Sequence, residues 1–161
     1  ALAGKPVAQF GAGGAGTATS LALLDEGADL SIVDVDLSRA KALVTRLKEV
    51  RPNAQVQAVS GSDIELKAMS GAVNATPLGM KSYPGKAFDP ADLPDDAWVV
   101  DIVYFPMNTA LLQAARAREL QAFNGGGMAL YQAVFAFALI TGHTPDAERM
   151  ADCFARLSGQ S

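Results

Sequence analysis

Between residues 11 and 16 the chain reads Gly11-Ala12-Gly13-Gly14-Ala15-Gly16, directly after the short apolar stretch Val7-Ala8-Gln9-Phe10 and directly before an amphipathic helical pattern. This is the feature that most narrows the possible folds. Glycines at 11, 13 and 16 fit the spacing of a dinucleotide-binding turn. The first permits a tight bend, the second a close approach of backbone to pyrophosphate, and the third close packing of helix on strand. The turn lies so near the start that no substrate-binding segment is expected before it within these residues.

Strand and helix patterns alternate along the rest of the sequence. After the strand at 7–10, a helix is expected over 15–26, with Ala18, Leu21 and Ala22 on one face and Gly27 placed to cap it. A second strand is expected at 30–33. A second helix follows at 38–50, where Ala40, Leu43, Val44 and Leu47 recur at helical spacing before Arg51-Pro52-Asn53 ends it. Further strands are expected at 56–59, 72–75, 98–103 and 121–124. A short helix or turn is expected at 63–70, a loop rich in Pro, Gly and Asp at 81–96, and helices at 109–119, 128–141 and 146–158. Such alternation implies an α/β fold of the Rossmann type, a doubly wound parallel sheet of about six strands in the order 3-2-1-4-5-6. No repeat or linker divides the 161 residues, so the whole chain reads as one dinucleotide-binding domain with its closing helices, and without a substrate domain.

Composition narrows the partners. A net charge of −4 argues against nucleic acid or an anionic membrane. It does not argue against a dinucleotide, because a helix N-terminus binds phosphate through backbone N–H groups. The most apolar segment, 128–141, is too short to span a bilayer and contains Gln132. Cys153 is the only cysteine and reads as a small apolar filler on the last helix; a cytosolic setting is expected. His143 is the only histidine, placed between two helices, and one His with one Cys cannot build a zinc site of the usual kind within the chain.

Beyond the glycine turn, Asp34 stands at the end of the second strand, about 20 residues on, where a carboxylate accepts hydrogen bonds from ribose hydroxyls and repels a 2′-phosphate. This favours NAD over NADP. Asp36 is a natural helix N-cap with Ser38 and lies within reach of the ribose, and Arg39 is the residue that could serve a 2′-phosphate instead. Three more segments leave strands at the carboxyl edge of the sheet, where such folds bind ligands. They are Asn74-Ala75-Thr76-Pro77-Leu78-Gly79-Met80, Asp101-Ile102-Val103-Tyr104-Phe105-Pro106, and Asn124-Gly125-Gly126-Gly127-Met128, the last opening a helix that bears Gln132. Asn74 and Thr76 are placed to tie down their loop, and Asp101 to bond the turn below it.

Taken together, Gly11-Ala-Gly-Gly, Asn74-Ala-Thr-Pro-Leu-Gly-Met, Asp101-x-x-Tyr-x-Pro-x-x-Thr-x-Leu-Leu and Gly125-x-x-Met-x-x-x-Gln are similar in order and spacing to the cofactor-binding domain of the shikimate/quinate dehydrogenase family. The resemblance runs from about residue 5 to Thr141-Gly142. It implies hydride transfer between a nicotinamide and a ring hydroxyl or ketone. It implies that Thr76, Met80 and Val103 surround the nicotinamide ribose or ring and that Gly125 and Met128 hold the carboxamide side. It also implies that Gln132 and Tyr104 reach the hydroxyls of a polyol carboxylate substrate. NADP-using members carry an Asn-Arg-Thr-like run where this chain has Asp34-Val35-Asp36.

The expected cofactor-binding residues are therefore Gly11, Ala12, Gly13, Gly14, Ala15, Asp34, Asp36 and Arg39, with Thr76, Pro77, Met80, Val103, Gly125 and Met128. The family's catalytic lysine and aspartate belong to a substrate domain before the glycine turn, so no catalytic residue is assigned here. Lys5 lies on the wrong edge of the sheet, and Lys81 reads as a solvated loop residue. Competing readings are another NAD(P)-dependent dehydrogenase, such as a methylene-tetrahydrofolate type, or a non-catalytic NAD-sensing module.

Overall fold

The computed structural model describes residues 2–157. Six parallel strands form one sheet: β1 (Pro6–Phe10), β2 (Asp29–Val33), β3 (Val56–Val59), β4 (Gly71–Asn74), β5 (Trp98–Asp101) and β6 (Gln121–Asn124), in the order β3-β2-β1-β4-β5-β6. The helices are α1 (Gly14–Asp25), α2 (Leu37–Val50), α3 (Ala110–Ala117), α4 (Gly126–Thr141) and α5 (Ala147–Leu157). This is the expected Rossmann-like doubly wound arrangement. The strand order reverses between β1 and β4, which opens a crevice at their carboxyl ends.

Alternation along the strands sends side chains to two cores. Val7, Leu30, Ile32 and Val73 pack with Ala40, Leu43 and Leu47 of α2 on one face. Ala8, Phe10, Ala72 and Val99 pack with Leu111, Leu112 and Ala115 of α3 on the other, where the Phe10 ring stacks on Phe88 from the 81–96 loop at 4.8 Å between centroids. Nearly continuous burial along β1, β2 and β4 is the mark of a sheet covered on both sides.

Several expected boundaries move, each for a local reason. Strand β5 ends at Asp101 rather than at 103 because the Asp101 carboxylate accepts the Val103 N–H at 3.0 Å and turns the chain out of the sheet. Helix α4 begins at Gly126, two residues early, because the Asn124 side-chain oxygen accepts the Gly126 N–H at 3.0 Å. Thr109 caps α3, its hydroxyl accepting the Leu112 N–H, and that helix stops at Ala117. Within 63–70 only Leu66–Ala68 makes a 3₁₀ turn. Residue 158, expected to end the last helix, lies outside the described residues.

Two expectations about helix faces are corrected. Ala18 and Ala22 are exposed, and α1 instead buries Gly16 and Ser20. These two share one face at i, i+4, and the close approach of Gly16 to the Gly11 carbonyl sets the rotation of the helix. Cys153 is exposed on α5 rather than packed as filler.

Candidate functional site

The glycine turn is held by contacts it does not itself advertise. Gly11 takes φ +105°, and a Cβ there would lie 2.5 Å from the Ala75 carbonyl oxygen. Its N–H donates to Val33 and its neighbour Ala75 donates to Phe10, so the turn is pinned between β2 and β4. Asp34 ties it further: one carboxylate oxygen accepts the Ala12 N–H at 2.8 Å, the other the Asp36 N–H at 3.0 Å. The first-turn N–H groups of α1 have no partner inside the helix, which leaves its positive end facing outward.

A cleft of about 1000 Å³ opens beside this helix end along the carboxyl edge of the sheet. Gly11, Gly13, Gly14, Ala15, Asp34 and Arg39 line one side of it. Thr76, Pro77, Met80, Val103 and Tyr104 line the floor and far side, and Met128 and Gln132 of α4 close it. The expected residues are thus brought to one place, with three exceptions. Ala12 is buried behind the turn, where it meets Asp34. Asp36 is directed to helix capping, accepting the Ser38 N–H at 2.9 Å and its hydroxyl at 2.6 Å, and these bonds hold its carboxyl below the usual carboxylate range. Gly125 is buried where β6 turns into α4, and a Cβ there would lie 2.0 Å from the Ile102 carbonyl oxygen.

A buried polar joint sets the two floor loops. Asn74 donates to the Leu78 carbonyl at 2.8 Å and to Asp101 at 2.9 Å, while its side-chain oxygen accepts the Thr76 N–H and hydroxyl. The Thr76 hydroxyl in turn accepts the Leu78 N–H at 3.1 Å. Asp101 also accepts the Thr109 hydroxyl at 2.6 Å. Burial pushes the Asp101 carboxyl above its ordinary value despite these donors. One joint therefore fixes the loop after β4, the loop after β5 and the cap of α3.

Five lining residues escaped the sequence reading. Val35 is fully exposed beside Asp34, an unusual place for a valine, and Ala75, Leu78, Ile102 and Phe105 add apolar wall. Only Val35 carries a local signal, by standing between two aspartates at a strand end. Gln9, buried beneath the turn, was also passed over. Lys81 is exposed beyond the loop and does not line the cleft, and Lys5 sits at the start of β1, away from it. His143 lies in the turn between α4 and α5, its ring nitrogen 2.8 Å from the Thr141 carbonyl.

No family model matches the chain. It is 45% identical over 154 residues to the quinate/shikimate dehydrogenase (NAD(+)) of Corynebacterium glutamicum strain R, covering 94% of this chain and 54% of that protein. It is 42% identical to the shikimate dehydrogenase (NADP(+)) of Pseudarthrobacter chlorophenolicus, covering 94% and 53% respectively. The structure of quinate dehydrogenase from Corynebacterium glutamicum in complex with NAD superimposes with a TM-score of 0.88 at 44% identity, over 94% of this chain and 55% of that one. The chain spans about half the length of the relatives it matches. Its sheet order, its cleft and these identities agree: over nearly its whole length the chain is similar to about half of a shikimate/quinate dehydrogenase.

Proposed function

We propose that this chain is the NAD-binding half of a shikimate/quinate dehydrogenase. The observation that carries the reading is that the N-terminus of α1 and the Asp34 carboxylate open onto one cleft, whose other end holds Gln132. The fit to a dinucleotide rests on this chain's own groups. The unpartnered N–H groups of the first turn of α1 suit a pyrophosphate. A Cβ on Gly14 would meet nothing within 4 Å, so the turn leaves space where a phosphate needs it. Asp34 keeps a free lone pair on each oxygen after its two backbone bonds, enough to accept from ribose hydroxyls.

Nucleotide choice follows from charge. The Arg39 guanidinium stands 3.9 Å from Asp34, so the cation that would attract a 2′-phosphate is already balanced by a carboxylate that repels it. NAD is therefore preferred, in line with the NAD(+) enzyme of Corynebacterium glutamicum. Thr76, Pro77, Met80, Val103 and Met128 shape the nicotinamide end, and Gly125 brings the start of α4 against it. A nicotinamide held there supplies the hydride acceptor for oxidation of a ring hydroxyl. Tyr104 and Gln132 offer hydrogen bonds to a polyol carboxylate such as shikimate or quinate. The Gln132 side chain is exposed and makes no hydrogen bond among the described residues.

The acid/base lysine and its aspartate come from a substrate-binding part of the full-length protein outside these residues. Helix α4 supports this, because it exposes Tyr131, Phe135, Leu139 and Ile140, a surface suited to a second domain. Among the described residues no helix is long and apolar enough to cross a membrane, and the exposed single thiol of Cys153 suits a cytoplasmic enzyme.

The test compares two forms. The 161-residue chain is expected to bind NAD without oxidising quinate or shikimate, whereas the full-length protein oxidises them and loses affinity for them on Gln132→Ala. Turnover by the short chain, or a full-length Gln132→Ala enzyme with unchanged KM, would refute the assignment.

A further inference from the structure

Gln9 occupies a position where a doubly covered strand calls for valine or isoleucine. It is fully buried between Ala8 and Phe10 of β1. A buried amide is costly unless every polar atom is bonded, and here every one is. Its Nε2 donates one hydrogen to the Gly11 carbonyl at 3.0 Å and the other to the Gly16 carbonyl at 2.9 Å. Its Oε1 accepts the Thr19 hydroxyl at 2.8 Å. Two carbonyls facing one end and a hydroxyl facing the other leave the amide a single orientation.

Gly11 and Gly16 are the two ends of the glycine turn. We propose that Gln9 is a positioning residue that clamps both ends of this turn from beneath, holding the first-turn N–H groups of α1 in the arrangement that receives a pyrophosphate. The clamp needs Gly16 as much as Gln9, since a Cβ there would lie 3.2 Å from the amide nitrogen and 2.2 Å from the Gly11 oxygen. Asp34 holds the same turn from the β2 side through the Ala12 N–H. The two supports divide the labour: Gln9 fixes the span of the turn, and Asp34 its distance from the ribose site. A turn fixed before the ligand arrives loses less freedom on binding, so the effect of the clamp is read as affinity for phosphate-bearing ligands.

The inference rests on the dinucleotide reading above, and its test separates the two. Gln9→Met keeps the length of the side chain and removes both donors. In the 161-residue chain it is expected to weaken binding of NAD and ADP about tenfold, while adenosine, which lacks phosphate, changes less than about twofold. Leu47→Val, a core change in α2 away from the turn, controls for lost stability and is expected to leave NAD affinity unchanged. If Gln9→Met does not fold, Thr19→Val removes the partner that orients the amide, with an expected loss of about threefold in ADP affinity. Unchanged ADP and NAD binding in Gln9→Met or, where that variant does not fold, in Thr19→Val overturns the proposal. A parallel loss of adenosine binding, or an equal loss of NAD in Leu47→Val, also overturns it. A wild-type chain that binds neither NAD nor ADP overturns the dinucleotide reading itself, and the clamp with it.

Discussion

Helix α2 follows β2, one strand in from one edge of the sheet, helix α4 follows β6 at the other edge, and the two are built on opposite plans. Helix α2 buries Ala40, Leu43 and Leu47 and turns Lys41, Arg46, Lys48 and Glu49 to solvent. Helix α4 carries no charged residue and buries only Gly126, leaving Tyr131, Phe135, Leu139 and Ile140 exposed. The first is a finished amphipathic helix whose stripe is absorbed by β2 and β3. The second has no charged face and cannot satisfy its surface by packing on one sheet. On the function proposed above, the difference teaches that the nucleotide end of the cleft is complete within this chain, whereas α4 leaves an apolar face uncovered. The ionisable groups differ as well, with Asp36 capping α2 in the open and Asp101 buried where the loops after β4 and β5 meet the cap of α3.

The sharpest way to break this contrast is to cut into both helices. Leu43→Ala should lower the unfolding free energy by about 2–5 kcal/mol, because a buried leucine is replaced by a cavity. A urea titration showing less than 1 kcal/mol, roughly the scale of a surface change, would mean that α2 is not the finished element described here.

Next in size is Asp101→Asn, expected to cost about 1–3 kcal/mol by disturbing the bonds to Asn74, Val103 and Thr109. Its pH dependence carries a sign. Burial raises the folded pKa of Asp101 above the ordinary 3.8, so its contribution is fullest below 3.8 and declines as pH rises through the raised value. Asp36 is opposite: bonds from Ser38 lower its pKa, so its contribution is present above 3.8 and lost as pH falls. The stability difference between wild type and Asp101→Asn should therefore shrink as pH climbs from 3.8. A difference that is flat or grows would contradict the burial argument.

Asp34→Ser tests whether nucleotide choice lies wholly on the α2 side. It should weaken NAD about tenfold and improve NADP as Arg39 loses its counter-charge. An unchanged NAD-to-NADP ratio would move the choice elsewhere. The smallest effect is expected from Leu139→Lys, within about 0.5 kcal/mol of wild type, because the side chain is 88% exposed. A large loss there would show that α4 is packed after all.

Much of the fold was readable because its signals are local. Hydrophobic spacing gave α2 its buried face, the glycine turn after a strand placed α1, and Asp34 stood at a strand end at the right distance. The site was readable where each lining residue follows directly from a strand terminus, as for Thr76, Val103 and Met128. What escaped depends on contacts between distant segments. Asn74 and Asp101 meet across 27 residues, and only the β4–β5 register brings them together. Gln9 reads as a flaw in an apolar strand until α1 folds back over it. The face of α1 was misread because an alanine-rich helix carries no preference, and a steric contact at Gly16 decided it. Val35 joined the cleft because the chain turns outward at a position that periodicity assigns to a strand end.

The proposed function requires that the nucleotide end be complete in this chain. Calorimetric titration of the 161-residue chain with NAD and then NADP tests that directly. Saturable binding of one NAD per chain, with NADP weaker, is the predicted result. Absence of saturable NAD binding, or NADP binding at least as tightly, would contradict it.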